Sequence, residues 1–150
     1  MLTQIPPTNM PTDAETGADE PFSVLFIDDN EPLIDALEGR LSLEPGFAGL
    51  YRAVPLTDAA QTAARLQPDI VLLDVNMPDG INVIQVLQAI VQNAPASRVI
   101  IFTGHPTAEL VTRTMSLGAW GFVSKGISAD RLIAAIHRVR RGEAVIELEE

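Results

Sequence analysis

Three carboxylates follow directly on the apolar runs of two predicted strands. Asp28 and Asp29 come after Ser-Val-Leu-Phe-Ile at residues 23–27, and Asp74 comes after Ile-Val-Leu-Leu at residues 70–73. A polar side chain at the carboxyl end of a buried parallel strand lies where open α/β sheets bind ligands. Because Asp is also common in turns, the stretch around Asp74 by itself leaves a turn-capping role equally open.

The grouping of these three acids predicts a bound cation, since carboxylates brought together without neutralisation repel one another. The chain has no Cys, and oxygen ligands favour Mg2+, or Mn2+ in its place, over zinc. A carboxylate beside such an ion can act as a nucleophile toward phosphorus. Thr103 and Lys125, which is the only lysine, end later predicted strands and supply the donors that phosphoryl oxygens need.

Five predicted strands alternate with five predicted helices. The strands are placed at 23–27, 51–56, 70–73, 98–103 and 122–125. The helices are placed from Asn30 to Pro45-Gly46, from Thr57 to Gln67, from Val83 to Asn93, from Pro106 to Leu117, and after Ser128. The alternation predicts a doubly wound α/β fold, (βα)5, with a five-stranded parallel sheet of order 2-1-3-4-5. Pro55 cannot donate to a ladder, so the second strand is expected at a sheet edge.

The formal charge of −10 is concentrated at the two ends of the chain. Residues 1–20 and 143–150 each carry four acids and no base, which leaves 12 acids against 10 bases in residues 21–142. This near balance of charge argues against electrostatic binding to nucleic acid.

We expect a disordered leader at 1–20, one domain at 21–142 and an acidic C-terminal tail at 143–150. No apolar run is long enough for a membrane span, so we expect a cytoplasmic protein without membrane partners.

Four motifs in the right order resemble the receiver domains of response regulators, which are CheY-like, flavodoxin-like domains of bacterial two-component signalling. They are Ile27-Asp28-Asp29-Asn30, Leu72 to Pro78, Thr103-Gly104, and Gly118 to Lys125. The resemblance covers roughly residues 22–142. It implies that Asp74 is the phosphoacceptor, and that the Mg2+ ligands are Asp29, Asp28 mainly through water, Asp74 itself and the backbone carbonyl of Asn76. It also implies that Thr103 and Lys125 bind the phosphoryl oxygens.

The resemblance further implies a phosphorylation-dependent switch whose responding surface is the fourth helix, fifth strand and fifth helix. Phe122 occupies the family's switch-aromatic position, although an ordinary core aromatic is an equal alternative. The implied partners are a histidine kinase or phosphotransfer protein of a phosphorelay, an output protein that the sequence does not identify, and a second copy in a phosphorylation-dependent homodimer. Catalysis would be limited to self-catalysed phosphotransfer and dephosphorylation, so the chain is not expected to be an enzyme.

Two rival functions remain. A degenerate receiver would keep the fold and act as a phosphorylation-independent protein-binding scaffold. Such a scaffold does not need the phosphorylation chemistry, so the joint presence of Asp29, Asp74, Thr103 and Lys125 counts against it. An Mg2+-dependent phosphatase with an aspartyl-phosphate intermediate would need a second acid two residues after Asp74, where this chain has Asn76.

The chain departs from the family pattern in the loop after Lys125, where Gly126 stands at a position that is commonly Pro. This loop and Arg141-Gly142-Glu143 are more similar to receivers that precede a LuxR-type DNA-binding domain, as in NarL-type regulators. Eight residues follow Gly142, too few for such a domain, so we expect either a stand-alone receiver or a fragment.

Two histidines and a group of arginines are left outside this scheme. His105 could control water access to the phosphoryl group, and His137 is expected to be solvated or to complement a helix dipole. Cations in a last helical turn favour the helix itself, so we prefer that role to nucleic-acid binding for four arginines: Arg131, Arg138, Arg140 and Arg141.

Overall fold

The computed structural model describes residues 20–53, 56–78 and 80–149, and in these ranges the chain alternates strands and helices. The strands are β1 (Phe22–Ile27), β2 (Phe47–Arg52), β3 (Ile70–Leu73), β4 (Arg98–Thr103), β5 (Gly121–Ser124) and β6 (Val145–Glu147). The helices are α1 (Glu31–Leu41), α2 (Ala59–Leu66), α3 (Val83–Asn93), α4 (Ala108–Ser116) and α5 (Ala129–Arg140), with a 3-10 turn at Leu56–Asp58.

All the strand pairs are parallel, and the sheet order is β2-β1-β3-β4-β5-β6. The predicted doubly wound α/β fold and the order 2-1-3-4-5 are therefore confirmed. Strand β3 is buried on both faces, because helices cover the two sides of the sheet. One apolar core includes Phe22 and Ile136 with α1 and α5, and the other includes Leu73 and Leu87 with α2, α3 and α4.

The predicted caps of two helices that frame the site are confirmed. Asn30 accepts a hydrogen bond from the Leu33 N–H at the start of α1, and Ser128 accepts one from the Arg131 N–H at the start of α5. Side-chain oxygens at these positions satisfy backbone donors that a helix leaves unpaired. Both helices begin directly after loops that carry site residues.

Some predicted boundaries were wrong. Helix α1 ends at Leu41, and Gly46, with φ of 85°, turns the chain into β2. Strand β2 begins at Phe47 and ends at Arg52, four residues earlier than predicted. This placement packs Phe47 and Leu50 against the core. Helix α2 begins at Ala59 without a side-chain cap. The predicted strand end at Leu56 was also wrong, since Leu56 begins the 3-10 turn; Pro55 lies outside the described residues.

The structure adds a sixth strand that the sequence analysis did not predict. Residues Val145–Glu147, inside the expected acidic tail, pair in parallel with β5. Val145 is buried against the core while Ile146 points outward, which is the alternation of a half-buried strand. The expected leader falls almost wholly outside the described residues, and the division of the chain into leader, domain and tail stays a prediction. Within the described ranges, no helix has the length and apolar content to cross a membrane.

Candidate functional site

The carboxyl ends of β1 and β3 bring Asp28 and Asp74 together. The parallel register pairs Ile27 with Leu73, so the residues that follow each strand lie side by side. The Asp74 N–H continues the ladder by donating to the Ile27 carbonyl at 3.0 Å. Sheet pairing therefore fixes the backbone of both acids before any side-chain contact is considered.

The predicted acid cluster is present. Carboxylate oxygens of Asp28, Asp29 and Asp74 all lie within 4.8 Å of one another. Asp28 and Asp74 are buried and Asp29 is exposed. Two of the acids are thus held in the protein interior, and the third faces the solvent from which a cation would enter.

Lys125, which follows β5, reaches into the cluster. Its Nζ lies 2.8 Å from Asp28 Oδ2 and 3.2 Å from Asp74 Oδ2, and it sits 5.8 Å from the centre of the Phe102 ring. Burial lowers the pKa of Lys125, but the two carboxylates raise it more, so its pKa lies above the ordinary value. Lys125 is therefore a fixed positive charge in the pocket.

Burial is the main cause that raises the pKa of Asp74, and the negative charge of Asp28 raises it further. The Asn76 N–H, which donates to Asp74 Oδ1 at 3.1 Å, and the Lys125 ammonium both act in the opposite direction. The net result is a pKa above the usual range. The pocket therefore holds Asp74 as an incompletely compensated carboxylate.

The site has the charge and the open ligand positions that suit a divalent cation. Three carboxylates against one ammonium leave two uncompensated negative charges. Asp28 Oδ1 accepts the Asn30 N–H at 2.9 Å, but its Oδ2 is a buried oxygen without a hydrogen-bond partner. The Lys125 ammonium lies within ion-pair distance of that oxygen, 2.8 Å away. An all-oxygen donor set of this kind fits Mg2+.

Thr103 and Ser124 end β4 and β5 at the same edge of the sheet as the acid cluster. They pair across the ladder and are both fully buried. Thr103 Oγ1 accepts the His105 N–H at 3.2 Å, and Ser124 Oγ accepts the Gly126 N–H at 3.1 Å. Ser124 was not predicted as a site residue, although its position just before Lys125 at a strand end was the available signal. Its hydrogen bond with Gly126 shapes the loop that follows Lys125.

Phe122 lies outside the pocket. Its side chain is fully buried in the apolar core on the side of α2, α3 and α4, so the structure shows it as a core aromatic and its switch role stays a prediction. His105 is exposed beside Thr103. His137 lies in the last turn of α5 but is not solvated as one alternative expected, because its Nε2 lies 2.8 Å from Glu44 and its ring packs against Phe22.

A parallel doubly wound domain with an acidic pocket and a lysine at the carboxyl edge of its sheet defines the CheY-like class. The chain belongs to the response regulator receiver domain family, whose model matches residues 24–137. Receiver domains are the phosphorylation-dependent signalling switches of bacterial two-component systems.

The chain is similar to the nitrate/nitrite response regulator protein NarL of Escherichia coli, with 29% identity over 127 residues that cover 85% of this chain and 58% of NarL. A LuxR-family regulator from Aurantimonas superposes with a TM-score of 0.76 at 25% identity, covering 84% of this chain and 89% of that one. The receiver domain of a NarL from Mycobacterium tuberculosis superposes with a TM-score of 0.69 at 25% identity, covering 83% of this chain and 99% of that one. The chain spans little more than half the length of the NarL and DegU relatives, 58% and 52%.

Proposed function

We propose that the chain is a phosphorylation-dependent switch that accepts a phosphoryl group on Asp74 from a histidine kinase, a phosphotransfer protein or a small-molecule donor. The observation that carries this proposal is the position of Lys125 Nζ, which lies 3.2 Å from Asp74 Oδ2 and 2.8 Å from Asp28 Oδ2. An ammonium at that distance can stay beside the carboxylate and bind an oxygen of the incoming phosphoryl group.

The transfer from a phosphohistidine exchanges one bond for another. An Asp74 carboxylate oxygen attacks phosphorus, the P–N bond to the imidazole breaks, and the imidazole nitrogen leaves with the electron pair and takes up a proton from the medium. An acyl phosphate remains on Asp74. The raised pKa of Asp74 reflects burial, and the Lys125 charge favours the ionised form that attacks.

Mg2+ is the cofactor that we assign to this site. Asp29, Asp74 and the backbone carbonyl of Asn76 would hold it directly, and Asp28 mainly through water. The ion supplies positive charge against the phosphoryl oxygens during transfer. The support from this chain is the pair of uncompensated negative charges and the buried Asp28 Oδ2 that lacks a hydrogen bond.

The response begins at Thr103 and Lys125, which would bind the phosphoryl oxygens. Each charge-assisted hydrogen bond stabilises by roughly 1.5–3 kcal/mol, so two of them approach the ~5.5 kcal/mol that a near-complete population shift requires. Movement of Thr103 would pass to Phe122 through the neighbouring strand, since Ile101 pairs with Phe122. The surface of α4, β5 and α5 would then present a changed face to an output protein or to a second copy.

Mass spectrometry after incubation with acetyl phosphate and Mg2+ tests the proposal. We expect the wild-type chain to gain one phosphoryl group and Asp74→Asn to gain none, with circular dichroism showing that both are folded. A phosphorylation-independent scaffold would gain no mass in either form. Uptake of phosphate by Asp74→Asn would show that the acceptor is another residue.

A further inference from the structure

The acidic C-terminal segment, residues 143–149, lies on the β5 edge of the sheet. The Val145 N–H donates to the Trp120 carbonyl at 3.0 Å, and the ladder pairs Phe122 with Ile146 and Val123 with Glu147. Without this segment, β5 would present the unpaired backbone groups of an edge strand, which can pair with another chain. The segment therefore occupies a surface that can accept an extended peptide.

Charge complementarity holds the segment in place from the side of α5. Glu147 forms a close ion pair with Arg131, and its other oxygen lies 3.6 Å from Arg138. Arg138 also donates to Glu143 at 3.0 Å, and Arg141 lies 3.7 Å from the same carboxylate. Three of the four arginines that suggested nucleic acid in the sequence, Arg131, Arg138 and Arg141, are therefore paired with acids of the same chain. Together with the β5 edge, Arg131 and Arg138 form what we call the acceptor surface.

The contacts that hold the segment are few and weak. Strand β6 has three residues, and Val145 is its only buried side chain, since Ile146 is 52% exposed and Glu147 is partly exposed. The side chains of Arg131 and Arg138 are 44% and 41% exposed, and ion pairs at that exposure are screened by water and salt. The segment is therefore a low-stability element that can open without unfolding the domain.

We propose that the acceptor surface binds an acidic, extended segment of a protein partner by strand addition, and that residues 143–149 cover this surface until the partner displaces them. Strand addition supplies main-chain hydrogen bonds to β5, and the two arginines select for acidic side chains. The chain's own segment shows the chemistry of the ligand: apolar residues, Ala144 to Ile146 and Leu148, flanked by glutamates. The proposal does not depend on phosphorylation of Asp74, so each can fail without the other.

The test measures binding of a fluorescent peptide with the sequence of residues 143–150 to full-length chains. Glu147→Lys places a positive charge beside Arg131 and Arg138 and should displace residues 143–149 from the acceptor surface. Since apparent affinity falls with the fraction of binding-competent molecules, this variant should bind the peptide roughly tenfold more tightly than wild type. Adding Arg131→Glu to Glu147→Lys should abolish the gain. The control Glu109→Lys makes the same change of charge on an exposed residue of α4 and should behave as wild type.

Hydrogen exchange of the Val145 amide, measured on the same samples, shows whether the cover has opened. Faster exchange together with tighter peptide binding supports the proposal. Faster exchange in Glu147→Lys without peptide binding would show that the acceptor surface does not bind the peptide. Unchanged exchange in Glu147→Lys would show that residues 143–149 are not displaced from that surface. Sedimentation of the wild-type chain adds a further outcome: a dimer that is lost in Glu147→Lys would show that the occupant is a second copy, contrary to the proposal.

Discussion

Lys125 Nζ lies 2.8 Å from Oδ2 of Asp28, an oxygen that is buried and has no hydrogen-bond partner. The same ammonium lies 3.2 Å from Asp74. One cation is therefore shared between two buried carboxylates, and neither is fully compensated. This shared contact makes the metal-free pocket a source of instability that substitutions and cations can relieve.

Asp74→Asn should stabilise the metal-free chain at pH 7 by about 1 kcal/mol, because it removes a buried charge and leaves Lys125 to Asp28 alone. The pKa of Asp74 is raised in the folded state, so the folded chain binds more protons than the unfolded chain. Stability is then greatest below the ordinary Asp pKa of about 3.9 and is lost as pH rises through the folded pKa. The gain in the free energy of unfolding from Asp74→Asn should therefore increase as pH rises from the ordinary Asp pKa to the folded pKa of Asp74.

Urea unfolding in EDTA at a series of pH values measures this effect. Asp29→Asn is the matched control, because Asp29 belongs to the same cluster but is exposed, and its change should stay within about 0.5 kcal/mol. A loss of stability in Asp74→Asn at pH 7 would mean that the pocket compensates Asp74 completely.

Lys125→Met should destabilise the chain by about 3 kcal/mol at pH 7, because two buried carboxylates then lack a cation. The raised pKa of Lys125 means that its contribution is fully present below its ordinary pKa of about 10.4 and is lost as pH rises through the folded value. The whole effect should therefore be visible at neutral pH. Combining Lys125→Met with Asp74→Asn should recover part of the loss.

Denaturant unfolding of the single and double variants gives the coupling between Lys125 and Asp74. Arg113→Met, on the exposed face of α4, removes a cation elsewhere and should cost less than about 0.5 kcal/mol. Strictly additive effects of Lys125→Met and Asp74→Asn would contradict the shared ion pair.

Mg2+ should stabilise the folded chain, since the acid cluster proposed to bind it forms only on folding. At a hundred times its dissociation constant the gain is about 2.7 kcal/mol. Asp29→Asn should leave the metal-free stability almost unchanged and remove most of the gain, because Asp29 is exposed while contributing an oxygen to the cluster. A thermal shift titration with MgCl2, with Glu109→Gln as the control, measures both. Equal Mg2+ stabilisation of wild type and Asp29→Asn would remove Asp29 from the ligand set.

The sequence predicted the sheet and the acid cluster because both depend on local patterns. A buried apolar run such as Ile70–Leu73 indicates a parallel strand, and the strand order then brings the acids after β1 and β3 together. Caps at Asn30 and Ser128 were predictable for the same reason, since a side-chain oxygen bonds an N–H only three residues away.

The C-terminal strand was not predicted because nothing local specifies it. Val145–Glu147 is short and surrounded by glutamates, and it forms a strand only because β5 offers an edge and α5 offers Arg131 and Arg138. The contact of His137 with Glu44 was not predicted for a similar reason, since the two residues lie 93 positions apart in the sequence. Contacts of this kind depend on the assembled fold and leave no periodicity in the sequence.

Gly126→Ala should loosen the C-terminal strand without unfolding the domain. A Cβ at residue 126 would overlap the carboxylate of Glu149 and lie 2.6 Å from its Cγ, so the Glu149 side chain must leave its place beside the loop. Gly126 is not among the glycines with positive φ, so alanine fits the backbone. We expect the free energy of unfolding to change by less than about 1 kcal/mol, while the Val145 amide exchanges severalfold faster.

Hydrogen exchange followed by NMR measures this amide, and Gly39→Ala is the matched control. Nothing lies within 4 Å of a Cβ at Gly39, and alanine in the interior of α1 should stabilise the chain by about 0.5–1 kcal/mol without changing the local opening of β6. Unchanged exchange of Val145 in Gly126→Ala would show that the Glu149 contact does not hold the strand. The glycine after Lys125 would then need an explanation other than room for the C-terminal segment.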